Sequence, residues 1–258
     1  MRKSVDWILL FCLLGLVECN TTEPIQEPEI KRLTKDLKSK NAEVRADAAF
    51  ALGRRKGGAK NAVPVLIQAL EDQDGSVRIN AVLALGLIGA GAKDAMPALI
   101  RTLQDPNSDI REYSAYTVGR IGEGAVNAMP VLIQALQDEN TGVRISAIWA
   151  LGSIGVEAKD AVPAITKLLL DKDRDIRLNA VNALGNIGSE DGVPALIKAL
   201  GKPDEDWSIL DSAAEALTRI GTLEGMQAVE DFHRVRVTRK EYRYQEAPYN
   251  QWLRDHGA

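Results

Sequence analysis

The most regular feature of this sequence is a hydrophobic position that recurs every 33 residues. A branched aliphatic residue occupies it six times, at Val44, Val77, Ile110, Val143, Ile176 and Ile209. The next residue is Arg in the first five copies and Leu210 in the sixth, and most copies close with Ile-Gly. A fixed period of this length is typical of proteins built from stacked structural repeats. The pattern therefore predicts six consecutive repeats.

Each repeat is predicted to contain two helices. Pro97 lies in the first turn of its first helix, where its missing N–H breaks no hydrogen bond, and Asp94 before it is a suitable cap. The same arrangement recurs at Asn61/Pro64, Asn127/Pro130, Asp160/Pro163 and Asp191/Pro194. The second helix follows an Asn or Asp that can also cap, at Asn41, Asp74, Asn107, Asn140, Asp173 and Asp206. The Gly after the closing Ile is suited to ending a helix.

These signals predict helical pairs at about 29–55, 61–88, 94–121, 127–154, 160–187 and 191–220. A further helix is predicted from about Leu223 to Lys240. One pair cannot fold alone: each large apolar residue stabilises it by about 1.5–3 kcal/mol, whereas ordering the chain costs about 1–2 kcal/mol per residue. Consecutive pairs must stack, so the expected fold is an all-α superhelical solenoid.

The repeat units resemble HEAT repeats, in the short form also found in phycobilisome lyases. The resemblance rests on the Pro-containing first helix, on Asp-x-x-x-x-x-Arg and on Ala-Leu-Gly-x-Ile-Gly, and it covers residues 29–221. It implies that the second helices line a concave side and that Asp and Arg form a ladder between neighbouring repeats. The ladder residues would be Asp72, Arg78, Asp105, Arg111, Asp138, Arg144, Asp171 and Arg177.

The ladder is expected to weaken at both ends of the repeat array. In the first copy Ser39 stands where the others have Asp, and in the sixth Leu210 replaces Arg.

The outward side of the second helices is the candidate binding surface. Positions two, five and nine after the Arg position share one helical face because their separations are three and four residues. Aromatic residues make up only 5% of the chain, yet several fall in these columns. We predict a groove with an apolar and aromatic stripe that grades into an Asn-rich half, formed by Phe50, Leu83, Tyr113, Tyr116, Arg120, Trp149, Asn179 and Asn182.

Two interpretations of this stripe are open from the sequence. The side chains could only cover the small Ala residues of tightly packed helices. Alternatively, they contact a partner, because exposed aromatic and Arg side chains are the usual anchors of protein interfaces. An extended peptide or a partner helix suits an open groove better than a small molecule, which needs a closed pocket.

Composition excludes several function classes. The chain has 2 Cys and 2 His, too few for a metal cluster or thiol chemistry, so neither a metal nor a cofactor is expected. Its net charge of -4 offers no overall basic field for nucleic acid. It lacks the Gly-x-Ser-x-Gly elbow, a phosphate-binding Gly-rich motif and the His-Glu pairs of repeat-built hydroxylases. We expect no catalytic residues; the alternative is an enzyme-associated or chromophore-handling helper resembling phycobilisome lyase subunits.

The N-terminus predicts export. Arg2 and Lys3 precede an apolar run, Trp7 to Val17, that is typical of a signal peptide and too short for a stable membrane span. The run ends at Cys19 in a pattern that resembles the bacterial lipobox, although Glu18 occupies its usual small-residue position. Lipidation of Cys19 with membrane anchoring, simple cleavage and an uncleaved anchor all remain open. The expected location is the cell envelope, either the periplasm or a membrane-anchored lipoprotein.

The predicted organisation is therefore a signal peptide at 1–19, a linker at 20–28, six helical pairs at 29–221 and a C-terminal capping helix with a tail at 222–258. Aromatic residues of the tail, Tyr242, Tyr244, Tyr249 and Trp252, are predicted to pack over the last repeat, because terminal repeats need a seal.

Overall fold

The computed structural model describes residues 27–54, 60–122 and 124–238. These ranges contain α-helices and short 3-10 segments but no β-strand, as the all-α prediction requires. The α-helices, numbered in chain order, are α1 (Glu27–Asp36), α2 (Ala42–Arg54), α3 (Val63–Ala69), α4 (Gly75–Ile88), α5 (Met96–Thr102), α6 (Ser108–Ile121), α7 (Met129–Ala135), α8 (Thr141–Ile154), α9 (Val162–Leu168), α10 (Arg174–Ile187), α11 (Val193–Leu200), α12 (Trp207–Ile220) and α13 (Leu223–Thr238).

The second helix of each repeat begins as predicted, and those from α4 onward also end as predicted. The carboxylate of Asp74 accepts a hydrogen bond from the backbone N–H of Ser76 at 2.8 Å, which satisfies a donor left free by the first turn of α4. The later caps do the same at Asn107, Asn140, Asp173 and Asp206. After each of these helices a Gly with positive φ turns the chain away, at Gly89, Gly122, Gly155, Gly188 and Gly221.

The first helices differ from the prediction. From α3 to α11 they span only 7 or 8 residues, with Pro in the first turn, and the residue before each is Ala or Gly without a side-chain cap. Asp94 and Asp160 instead lie inside the 3-10 segments Gly89–Ala95 and Gly155–Ala161. The predicted side-chain caps here are therefore wrong, because the chain enters these helices from a 3-10 segment whose turns supply hydrogen bonds to the first N–H groups.

Glycines let consecutive second helices approach each other closely. A Cβ placed on Gly53 of α2 would lie 2.5 Å from the Cα of Ala84 in α4, and one on Gly152 of α8 would lie 3.0 Å from the Cα of Ala183 in α10. Buried aliphatic side chains then form one continuous core from Ile30 to Val229. The described residues thus form the expected solenoid, in which each repeat packs on its neighbours.

One described segment is long and apolar enough to cross a membrane by composition. This segment, Gly75–Thr102, comprises α4, the following 3-10 segment and α5, and 44% of its apolar window is buried inside the structure. Core helices of repeat proteins meet the same criterion, so the segment is accounted for by packing. The signal sequence, the linker up to residue 26, Cys19 and the aromatic tail lie outside the described residues.

Candidate binding face

The outward surface of the second helices carries one prominent aromatic pair. We call the surface formed by positions two, five and nine after the Arg position of α2, α4, α6, α8, α10 and α12 the second-helix face. On it, the rings of Tyr116 and Trp149 stack with centroids 4.6 Å apart and planes inclined by 24°. Trp149 is 37% exposed, whereas Tyr116 is half-buried. The pair therefore joins α6 to α8 and leaves part of the indole open to solvent.

The glycine column allows this stacking. A Cβ on Gly119 would lie 2.6 Å from the Cζ3 atom of Trp149, so the indole rests on the bare backbone of α6. One side of the ring system is thus packed against the protein, and its orientation is fixed by Tyr116.

Two arginines lie over aromatic rings of the same face. The guanidinium of Arg120 is 5.9 Å from the Tyr116 ring centroid, and its Nε donates a hydrogen bond to the carbonyl oxygen of Gly86 at 3.1 Å. The guanidinium of Arg54 is 5.7 Å from the Phe50 ring centroid. Both arginines are exposed, whereas Phe50 is half-buried. Arg54 was not among the predicted site residues, although it occupies the same column as Arg120.

Two other predicted members of the stripe are less accessible than expected. Leu83 is only 2% exposed, so its assignment to an open binding surface is wrong. Its helix lies between α2 and α6, whose residues in the same column are the larger Phe50 and Tyr116, and the close helix spacing leaves a shorter side chain covered. Tyr113 is half-buried and packs against the core.

The predicted Asn-rich half is partly engaged in hydrogen bonds. The Nδ2 of Asn179 donates to the carbonyl oxygen of Asp175 in its own helix at 2.8 Å. Asn186 accepts a hydrogen bond from Arg219 of the next repeat at 2.6 Å. Asn182 is exposed on the same face. This half of the face is polar but offers fewer accessible amides than the sequence indicates.

Arginine and aspartate side chains connect neighbouring repeats along the turns. Three of the arginines pair with the Asp 27 residues later: the guanidinium of Arg111, for example, donates to both carboxylate oxygens of Asp138 at 2.8 and 2.9 Å. Its Nη1 also donates to the carbonyl oxygen of Asp105, six residues earlier, at 3.0 Å. Arg45–Asp72 and Arg78–Asp105 pair in the same way. Hydrogen bonds from Arg45 and Arg111 lower the pKa values of Asp72 and Asp138.

The expected weakening of this ladder at its ends is wrong. Arg45 makes a full pair with Asp72, and its Nη1 uses the backbone carbonyl of Ser39, so no Asp is needed there. At the other end, Arg177 binds Glu205 at 2.7 Å in place of Asp204. Burial acts to raise the pKa of Glu205, but the hydrogen bonds from Arg177 and from the Asp206 backbone lower it overall.

The missing pair is in the interior of the ladder. Arg144 donates to the backbone oxygens of Asp138 and Glu139 and to Thr141, while its buried Nε has no hydrogen-bond partner. The carboxylate of Asp171 accepts a backbone hydrogen bond from Asp173 but none from Arg144. Arg144 and Asp171, both predicted members of the ladder, therefore do not form a pair.

Glu112 is a polar residue in a mostly aliphatic column. The residues at its position in the neighbouring repeats are Ile79 and Ile145, which pack against the core. The carboxylate of Glu112 lies against the backbone of Gly142 in the first turn of α8, where any Cβ would overlap it. Burial, and secondarily the charge of Asp109, raise the pKa of Glu112.

The family assignment follows from a comparison with known repeat families. The HEAT-repeat family model matches residues 30–118, 96–177, 129–218 and 162–239, which together span most of the sequence. This chain belongs to the HEAT-repeat family. No curated protein is significantly similar to it.

Solved structures similar to this HEAT-repeat protein include natural and engineered chains. An engineered protein is 26% identical with a TM-score of 0.61, over 74% of this chain and 96% of that chain. The complex of CpcE and CpcF of phycocyanin lyase from Nostoc sp. PCC7120 is 28% identical with a TM-score of 0.57, over 82% and 84%. A designed armadillo repeat protein in complex with the peptide (KR)4 is 19% identical with a TM-score of 0.63, over 74% and 99%, and shows the fold alone.

A recess is present at the C-terminal end of the HEAT-repeat array. It has a volume of about 400 Å³ and lies between α11, α12 and α13. Its walls include Leu200, Val235 and the tilted ring pair Trp207–Phe232, whose centroids are 6.4 Å apart. Within the described ranges no group of three or more His, Cys, Asp or Glu side chains is placed to bind a metal ion.

Proposed function

We propose that this HEAT-repeat protein is a non-catalytic scaffold that binds an extended peptide or protein segment through its second-helix face. The observation that carries the proposal is the Tyr116–Trp149 stack, which leaves 37% of Trp149 exposed between two repeats. A rigid aromatic side chain with Arg120 beside it is the type of anchor on which interface affinity usually depends. The face is continuous over several helices, which suits an elongated partner.

The similarity to a designed armadillo protein supports this proposal at the level of architecture. That protein was solved with a peptide bound. Because repeats present equivalent columns at regular intervals, a solenoid can bind successive residues of one extended chain. The same geometry is available on the second-helix face of this protein.

The test is capture of binding partners by purified variants. Wild-type protein, Trp149→Ala and Leu170→Ala would be immobilised and incubated with extract from the native cells. Leu170 is a matched control because it is 64% exposed and lies outside the second-helix face. We expect Trp149→Ala to reduce recovery of a specific partner at least about tenfold, which corresponds to about 1.4 kcal/mol. Equal recovery by all three proteins, each verified as folded by circular dichroism, would contradict the proposal.

We further propose that the protein is exported and anchored in the cell envelope through lipid attached to Cys19. The charged and apolar pattern of the N-terminus supports export, and the position of Cys19 at its end supports lipidation. Mass spectrometry of the mature N-terminus decides between the alternatives. A lipid-modified Cys19 is expected; an unmodified Cys19 or a start at another residue would overturn the anchor.

A second candidate function is handling of a chromophore. It is favoured by one observation, the 28% identity to the CpcE–CpcF complex of phycocyanin lyase. The absorption spectrum of protein purified from its native source separates the two functions. The scaffold proposal predicts no absorption in the visible range, whereas a stoichiometric coloured ligand would support the alternative.

A further inference from the structure

The basic residues of the second-helix face are concentrated at one of its edges. Arg54, Arg120 and Arg219 occupy the ninth position after the Arg position, near the C-terminal ends of their helices. The acidic residue on this face of α2, Asp47, precedes Arg54 by seven residues, or about 10 Å along the helix axis. The other acidic residue of the face, Glu215 at the fifth position of α12, lies four residues before Arg219, in the last repeat and away from Arg54 and Arg120. One edge of the face is therefore basic although the whole chain has a net charge of -4.

The basic edge is closest to the aromatic anchors in the first four repeats. Arg120 lies over Tyr116, and its hydrogen bond to the Gly86 carbonyl fixes the guanidinium beside the Tyr116–Trp149 stack. Arg54 lies over Phe50 in the first repeat. The third arginine of the column, Arg219, is instead turned to Asn186. Two exposed guanidinium groups, each held against an aromatic ring, thus flank the surface that is proposed to bind.

The spacing of these groups limits the register of the partner. Arg54 and Arg120 are two repeats apart, and packed helices are separated by about 8–10 Å, so the helices that carry them are separated by about 16–20 Å. An extended chain rises about 3.3 Å per residue, so this distance corresponds to about five or six residues of the partner. A separation of six residues places both side chains on the same side of an extended strand, as contact with one face requires.

From this arrangement we propose that the partner is an extended acidic peptide segment. It carries two carboxylate side chains about six residues apart, which bind Arg54 and Arg120, and an aromatic or aliphatic side chain that packs on Trp149. The inference rests on the proposed function, since it specifies the chemistry of the same face. The carboxylates supply charge-assisted hydrogen bonds to the guanidinium groups, and the apolar side chain covers the exposed part of the indole.

The experiment measures binding of two synthetic peptides by fluorescence anisotropy. Both are Ser/Gly peptides with two Phe residues; one carries two Glu six residues apart, and the other carries Lys at the same positions. The Phe residues stand outside the charged pair at both ends, so either chain direction can be accommodated. We expect the Glu peptide to bind at least about tenfold more tightly than the Lys peptide. Its affinity should fall several-fold from low to high salt, because salt screens the charges.

Variants assign the binding to the proposed residues. Arg54→Gln and Arg120→Gln are each expected to lower the affinity for the Glu peptide about threefold to tenfold. The affinity for the Lys peptide should stay the same or rise. Arg219→Gln is the matched control, because it removes an arginine of the same column outside the proposed contact, and it should bind like wild type. Circular dichroism of each variant establishes that it is folded.

The outcomes separate this inference from the proposed function. If Trp149→Ala weakens both peptides equally while the arginine variants change nothing, the face binds but the acidic preference is wrong. Equal affinity of wild type for the Glu and Lys peptides, or no binding of the Glu peptide at millimolar concentration, also overturns the inference. Partner capture from native extract then remains the independent measure of the proposed function.

Discussion

At the residue scale, the glycines of the second helices determine how closely the repeats stack. Among them, Gly53 has the closest approach to a neighbouring backbone, because a Cβ there would lie 2.5 Å from the Cα of Ala84 in the next repeat. Backbone cannot rotate away as a side chain does, so relief of that overlap requires the two helices to separate. The conformational advantage that Ala usually has over Gly in a helix is smaller than this effect.

We predict that Gly53→Ala lowers the free energy of unfolding by about 1–3 kcal/mol, the range typical of overpacked cores. Gly75→Ala is the matched control: its Cβ would be 3.7 Å from the nearest neighbouring atom, and the substitution should be neutral or slightly stabilising. Urea unfolding followed by circular dichroism measures both. A Gly53→Ala protein as stable as Gly75→Ala would contradict the close packing.

Glu112 provides a second prediction, based on its raised pKa. When the folded pKa of an acid lies above its unfolded value, the folded state is destabilised at high pH and recovers as the pH falls through the folded pKa. Glu112→Gln removes the charge and should therefore raise Tm at pH 7, by about 2–4 °C if the gain is about 1 kcal/mol. The gain in Tm should vanish below about pH 4.5, the pKa of the Glu side chain in the unfolded chain. An equal gain at both pH values, measured by thermal scans, would refute the explanation.

At the scale of elements, the arginine ladder links the second helices α2, α4, α6 and α10 to the turn that precedes the next second helix. Asp138 and Asp171 provide a controlled comparison, because each accepts a backbone hydrogen bond from the residue two positions later, at 2.9 and 2.8 Å. Only Asp138 also binds an arginine, through two hydrogen bonds from Arg111. The difference between them isolates the contribution of the ion pair.

We predict that Asp138→Ala destabilises the protein by about 1–3 kcal/mol more than Asp171→Ala, since it leaves a half-buried guanidinium without its carboxylate. Chemical denaturation of the two variants provides the comparison. Equal losses would mean that the Arg111 pair contributes nothing, or that Arg144 binds Asp171 in solution.

Local elements could be predicted from the sequence more fully than contacts between repeats. The caps at Asp74 and Asn107 depend on neighbouring residues only, so the prediction was confirmed there. The 3-10 segment around Asp94 has no distinct local signal. The absence of an Arg144–Asp171 pair and the burial of Leu83 depend on how side chains of adjacent repeats fit together. The aligned sequences of the repeats do not specify this fit.

At the scale of the whole molecule, the ladder makes the stability of the fold depend on pH in the acidic range. Asp72 and Asp138 have folded pKa values below the unfolded value of 3.8, so their pairs stabilise the fold in full above about pH 4. This stabilisation is lost as the pH falls from 3.8 through the folded values. Glu205 acts in the same direction, whereas Glu112 acts in the opposite direction.

We predict that the free energy of unfolding falls steeply between pH 4 and pH 2, and that Asp138→Asn shows a smaller fall. Denaturation curves at several pH values measure this. Because repeat arrays can unfold in segments, more than one spectroscopic probe should be followed. The ladder would be excluded as the source of acid sensitivity if wild type and Asp138→Asn lost stability in parallel.

The second-helix face extends over many repeats, so the most direct measurement is one that locates the bound partner on it. A photocrosslinking amino acid would replace Ser153, the exposed residue at the ninth position of α8, in one protein and Leu170 in another, so that Trp149 stays in place. Both proteins would be expressed in the native cells. The account predicts a discrete adduct, of the same mass in each preparation, from position 153 and none from position 170. Crosslinking from position 170 alone, or from neither position, would contradict binding through the second-helix face.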